Sequence, residues 1–123
     1  MPSLTSVVDP TIVATLNAVA DVLVCHDQHS ARRFESRLRG VFPSVSEFVA
    51  TFDTNEFWGG AGSLADQGMC CQALTDPELF RSSRRAYWQN MARFGRYLSS
   101  HGAGNPQLDM WVDVFERWCK DGL

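Results

Sequence analysis

Lysine is almost missing from this chain: of the 11 basic residues among its 123, only Lys120 is a lysine and the rest are arginines. There is no basic excess either. The formal net charge is -3, which excludes a general electrostatic pull toward nucleic acid or anionic lipid. No apolar run approaches the roughly 20 residues that span a bilayer. The opening stretch, MPSLTSVVDPTIVATLNAVADVLVC, lacks the basic start and small-residue cleavage site of a secretory signal, and Asp9, Pro10 and Asp21 interrupt its apolar pattern. A cytoplasmic location is therefore expected, without a membrane or nucleic-acid partner. No CxxC occurs, and Cys25, Cys70, Cys71 and Cys119 suggest neither a disulfide framework nor a zinc knuckle. They are expected as reduced thiols, several of them buried. Hairpin signals, internal repeats, low-complexity tracts and long heptad arrays are missing as well.

What is present is ordinary for a globular domain, with 45% hydrophobic and 20% charged residues, and the length suits one core. Helix-start signals recur. Asp9-Pro10, Asp76-Pro77 and Asn105-Pro106 each pair a capping side chain with a proline at the first helical position, where its missing N–H costs nothing. Ser44 and Glu47 form a capping box, SVSE. The apolar spacing agrees, with Leu108, Trp111, Val112, Phe115 and Trp118 or Cys119 forming one stripe, and Phe80, Tyr87, Met91, Phe94 and Leu98 another. Shorter helices are expected near 10–25, 30–39 (Ala31, Phe34 and Leu38 inward) and 45–53 (Val45, Phe48, Val49 and Phe52 inward). HGAGNP at 101–106 reads as a helix stop and restart, with Gly102 or Gly104 in the left-handed cap conformation. The expected fold is all-α: a single helical domain over 1–123, with five or six helices in an orthogonal or irregular bundle.

The stretch FWGGAGSLADQGMCC, residues 57–71, is the nearest thing to a motif. Gly60, Gly62 and Ala65 formally match the dinucleotide fingerprint GxGxxA, but that motif needs a preceding strand and a parallel sheet. A phosphate loop needs a lysine after its glycines, where Ser63 and Leu64 stand instead. The spacing fits a helix start, with Ser63 as N-cap, Asp66 at the third position, Gly59, Gly60 and Gly62 freeing the backbone and Trp58 anchoring it. Three readings remain open for this loop: a structural helix start, an anion or carboxylate site at the helix N-terminus, or a rigid loop that a partner recognises.

Other candidates are weighed in the same way. In Cys25-His26-Asp27-Gln28-His29 two histidines stand three apart and could share a metal, yet histidines near a helix C-terminus are favoured by its dipole alone. No metal, cofactor or catalytic constellation is expected, although Ser63 with His26 or His101 as base marks where a modest enzyme would be sought. On the long helix Arg81, Arg84, Arg85 and Arg96 share a sector with Trp88. That tryptophan either packs beneath arginine stems or belongs to a binding surface, since Trp and Arg are enriched in interface hot spots.

The segment WGGAGSLADQ, Trp58 to Gln67, resembles the W/F-G-G-x-G-S-L/F-x-D signature of small uncharacterised bacterial helical proteins, a group of unknown function. MWVDVFERWCKDG, Met110 to Gly122, is similar to their aromatic last helix. The resemblance covers about a quarter of the chain and implies a small bacterial helical domain without an assigned catalytic residue. The function expected from all of this is protein–protein binding, for instance as an immunity or antitoxin-like inhibitor of a toxin or effector. Between Arg39 and Arg81 every charge is acidic, so Asp53, Glu56 and Asp66 are expected to steer a basic partner, with Trp58 contributing if exposed. Arg81, Arg84, Arg85 and Trp88 form the second expected contact set. An apolar helix face left after packing would support a homodimer.

Overall fold

Side-chain caps start five of the seven helices among the described residues. In the computed structural model, which describes residues 8–69 and 76–121, Asp9 accepts the Thr11 N–H at 2.8 Å and opens α1, Pro10–His26. Asp27 then turns the chain, closing α1 with its backbone N–H on Leu23 and opening α2, Gln28–Leu38, by accepting the Ser30 N–H at 3.2 Å. The second helix thus starts two residues before the expected position, because an aspartate between two helices can cap the later one with its side chain. Ser44 caps α3, Val45–Phe52, through the Glu47 N–H.

Two single-turn helices follow, α4 at Asn55–Trp58 and α5 at Leu64–Gln67. The first has no counterpart in the periodicity, since four residues are too few to show a repeat. Asp76 accepts the Glu78 N–H at 2.9 Å at the head of α6, Pro77–Ser100. Asn105 accepts the Gln107 N–H at 2.9 Å in a turn just ahead of α7, Leu108–Asp121, so Pro106 lies in that turn and not at the first helical position expected for it. Between them α6 ends in a Schellman motif, with the Gly102 N–H on Ser99, the Ala103 N–H on Leu98 and Gly102 at φ +92°. Gly102, not Gly104, takes the left-handed position.

Among the described residues there is no strand, so the all-α expectation holds, with five longer helices and two single turns. The long helix α6 is the spine, packing α1 on one side and α7 on another, and α1 also packs α2. A cluster of rings fills the interior. Phe52 meets Phe48, Phe57 and Phe94 at centroid distances of 5.0, 4.9 and 5.1 Å, and Phe57 reaches Phe34 at 5.1 Å. Four helices are thereby tied through edge-to-face and tilted contacts, each worth roughly 0.5–1.5 kcal/mol beyond burial. The expected inward residues of α2 and α6 are all buried, whereas Val45 and Val49 of α3 only flank the core.

Candidate functional site

The glycine loop is closed from within. Gly60 and Gly62 adopt φ of +109° and +86°, conformations that favour glycine, whereas Gly59 sits at an ordinary −87° as the C-cap of α4. Only two of the three expected glycines therefore free the backbone. Ser63 caps α5 as expected, accepting the Asp66 N–H at 3.2 Å, and Asp66 in turn accepts the Gly62 N–H at 3.3 Å. A carboxylate of the chain itself thus occupies the place where an anion would bind. From the other side Arg33 donates to the Gly62 carbonyl at 3.0 Å. Ser63 is buried, and among the described residues neither His26 nor His101 hydrogen-bonds to it. His101 instead stacks on Tyr97, with ring centroids 4.1 Å apart.

Trp58 is fully buried against Phe94, which removes it from the expected partner contacts and leaves it as the anchor of the loop. The steering acids also have internal tasks. Asp53 accepts the Gly104 and Asn105 N–H groups, both at 2.9 Å, and so ties the end of α3 to the link before α7. Glu56 receives two hydrogen bonds from Arg37, at 2.5 and 3.0 Å. The acid-only stretch of the sequence therefore lies against arginines of α2, and its local charge is partly cancelled in space.

The Arg37 hydrogen bond holds the Glu56 carboxyl below its ordinary pKa. A lowered folded-state pKa stabilises the fold above the unfolded carboxylate value, and this contribution is lost as pH falls through the lowered one. Because the pair is half-exposed, the gain is under about 1 kcal/mol. Glu56→Gln is expected to lower the urea midpoint slightly at pH 7, and the difference from wild type should shrink as pH falls through the lowered carboxyl value. An equal difference across that range would mean that the pair's charge does not contribute.

The Cys25–His29 cluster is a helix junction. Both Asp27 oxygens are engaged, one with the Ser30 N–H and the other with the Met69 N–H at 2.9 Å. His26 lies edge-on to Phe80. Among the described residues, no three His, Cys, Asp or Glu side chains gather where a metal could be held. Of the four thiols, Cys25 is exposed and Cys119 half-buried. Partial burial raises the Cys119 pKa above its usual value. Cys70 and Cys71 lie outside the described residues.

The arginine sector of α6 is where the structure gathers several expected residues. Arg84, Trp88 and Asp66 line one cleft of about 340 Å³, together with Ala65, Gly68, Met69 and Trp118. Trp88 is 6% exposed and packs on Trp118 at 5.1 Å, while the Arg84 guanidinium lies over the rings of Trp88 and Phe80 at 5.0 and 5.5 Å. The arginine-over-tryptophan packing account thus holds for Trp88, which is nearly buried beside the cleft. Arg96 is drawn out of the sector by an ion pair with Glu116. Arg81 and Arg85 are exposed and, among the described residues, form no ion pair.

Trp118 and Met69 were not singled out as site residues in the sequence. Trp118 reads there as the end of an apolar stripe, and only the pairing of α7 with α6 makes it a wall of the cleft. Met69 carries a positive φ of 58°, which no local signal announces. A comparison with known protein families finds no match, and comparisons with curated proteins and with solved structures find none. No helix among the described residues is long and apolar enough to cross a membrane.

Proposed function

We propose that the protein works by binding another protein through the face of α6 that carries Arg81, Arg84 and Arg85 beside the Trp88–Trp118 cleft. The observation that carries this reading is a run of arginines without a carboxylate partner among the described residues, next to half-exposed aromatic surface. Arginine and tryptophan at one spot supply both halves of an interface hot spot, a large desolvated contact and a directional cation. Because Asp53 and Glu56 are held by internal bonds, the partner is expected to approach with acidic groups, opposite in sign to the sequence-level expectation. An immunity or antitoxin-like inhibitor of a toxin or effector is the specific form proposed for a small cytoplasmic bacterial domain of this kind.

Arg81→Glu with Arg85→Glu tests the face directly, since both side chains are exposed and removing them leaves the core untouched. Partner capture from the native host should be stoichiometric with wild type. For the double variant, association at low salt is expected to slow by about tenfold or more, as electrostatically steered encounters do. Capture and association rates that ignore the double charge reversal would refute the face.

A further inference from the structure

We propose that the cleft between α5, α6 and α7 anchors an acidic peptide segment of the partner, with a carboxylate on Arg84 and a neighbouring apolar side chain against Trp118. The proposal rests on the reading of this face as a protein-binding surface. Its starting point is the condition of Arg84. The residue is partly buried, its Nε–H is enclosed without an acceptor, and only the faces of Phe80 and Trp88 attend its charge. Guanidinium groups taken out of water are normally matched by carboxylates, because an uncompensated charge with open donors is costly. The other partly buried arginine follows that rule, Arg37 being paired with Glu56.

No side chain of the chain supplies the missing carboxylate. All 14 acidic residues belong to described positions, and none forms an ion pair with Arg84. Asp66 shares the cleft, but it is committed to the Gly62 N–H. Its charge also sets a limit, since a group with two negative charges would be repelled about twice as strongly as a single carboxylate. The volume of about 340 Å³ lies near the lower end of the roughly 300–1,000 Å³ of ligand pockets, and the lining of two indoles, a methionine and an alanine is mostly apolar. Space and chemistry together fit a carboxylate with an adjoining apolar side chain.

The test uses acetyl-Glu-Phe-amide and acetyl-Lys-Phe-amide as probes, followed through the indole Nε1–H signals of the tryptophans. With the glutamate peptide the signals of Trp88 and Trp118 should shift and saturate, while the buried Trp58 serves as an internal control. The dissociation constant is expected to rise at least about tenfold for the lysine peptide and for Arg84→Gln, the worth of a charge-assisted hydrogen bond, and to stay unchanged in Arg93→Gln. Arg84→Lys should recover part of the loss, which separates the charge from any effect on folding. Equal binding of both peptides, phosphate competing as well as the glutamate peptide, or free phenylpropionate binding as tightly would each overturn the proposal. Partner capture that is lost in the Arg81→Glu and Arg85→Glu variant but intact in Arg84→Gln would refute the anchor and leave the binding face standing.

Discussion

Trp58→Ala is expected to destabilise the domain by about 3–5 kcal/mol, the range for truncating a fully buried aromatic residue. For a domain whose whole stability is of order 5–15 kcal/mol, that leaves a protein close to unfolding. The magnitude follows from position. Phe57 and Trp58 are consecutive, yet both are buried, because α4 is a single turn wedged between the ring cluster and α6. Phe57 faces Phe34 and Phe52, whereas Trp58 faces Phe94 with centroids 5.4 Å apart. Removing the indole opens a cavity at the point where the glycine loop is attached to α6. Trp58→Phe should cost distinctly less, since it keeps a ring against Phe94 and deletes an Nε1–H that finds no protein acceptor. Guanidinium unfolding of the three proteins measures both effects, and an alanine variant within about 1 kcal/mol of wild type would show that Trp58 is not the anchor.

Gly95→Ala carries the second large effect, and its sign is opposite to what the helix alone suggests. Gly95 lies inside α6, where replacing glycine by alanine ordinarily stabilises by about 1 kcal/mol. Here a β-carbon would stand 2.4 Å from Val112 Cγ2, 3.2 Å from the Trp58 ring and 3.3 Å from Leu108. Val112 and Leu108 are buried on α7, so accommodating the methyl group means pushing the two helices apart. The expected outcome is a net loss of about 1–3 kcal/mol, the usual result of overpacking a filled core. Val112→Ala removes the nearest atom. Placed in the Gly95→Ala background, it should cost less than it does alone, which a double-mutant cycle in urea measures directly. Strict additivity would mean that the two positions do not touch.

The same pair of residues separates what local pattern can show from what packing decides. Helix starts were legible because capping is local: Asp9, Ser44, Ser63 and Asp76 each bond to an N–H two or three residues ahead. Inward residues of α6 and α7 were legible because a helix of several turns repeats its buried face. The short α4 escaped this test, having only one turn. Charge was the least transferable reading. A run without bases between Arg39 and Arg81 looks acidic along the chain, but α2 brings Arg33 and Arg37 onto it from outside the run. On α6, Arg96 found a carboxylate in Glu116 while Arg81, Arg84 and Arg85 found none among the described residues, a distinction that no spacing on the helix expresses.

The amino-acid sequence by itself determined that this is an all-α domain, where most of its helices begin, and that Ser63 caps a short turn after a glycine loop. These properties rest on interactions between residues a few positions apart, or on a periodicity repeated over several turns. Only the tertiary structure decided that Trp58 is interior, that Asp53 and Glu56 are held internally, that Gly95 is where α7 crosses α6, and that Arg84 shares a cleft with Trp118. Each of those facts depends on segments distant in the chain meeting in space, as Arg37 meets Glu56 across 19 residues and Gly104 meets Asp53 across 51. Burial and charge compensation belong to the assembled surface, and so does the cleft proposed as the binding site.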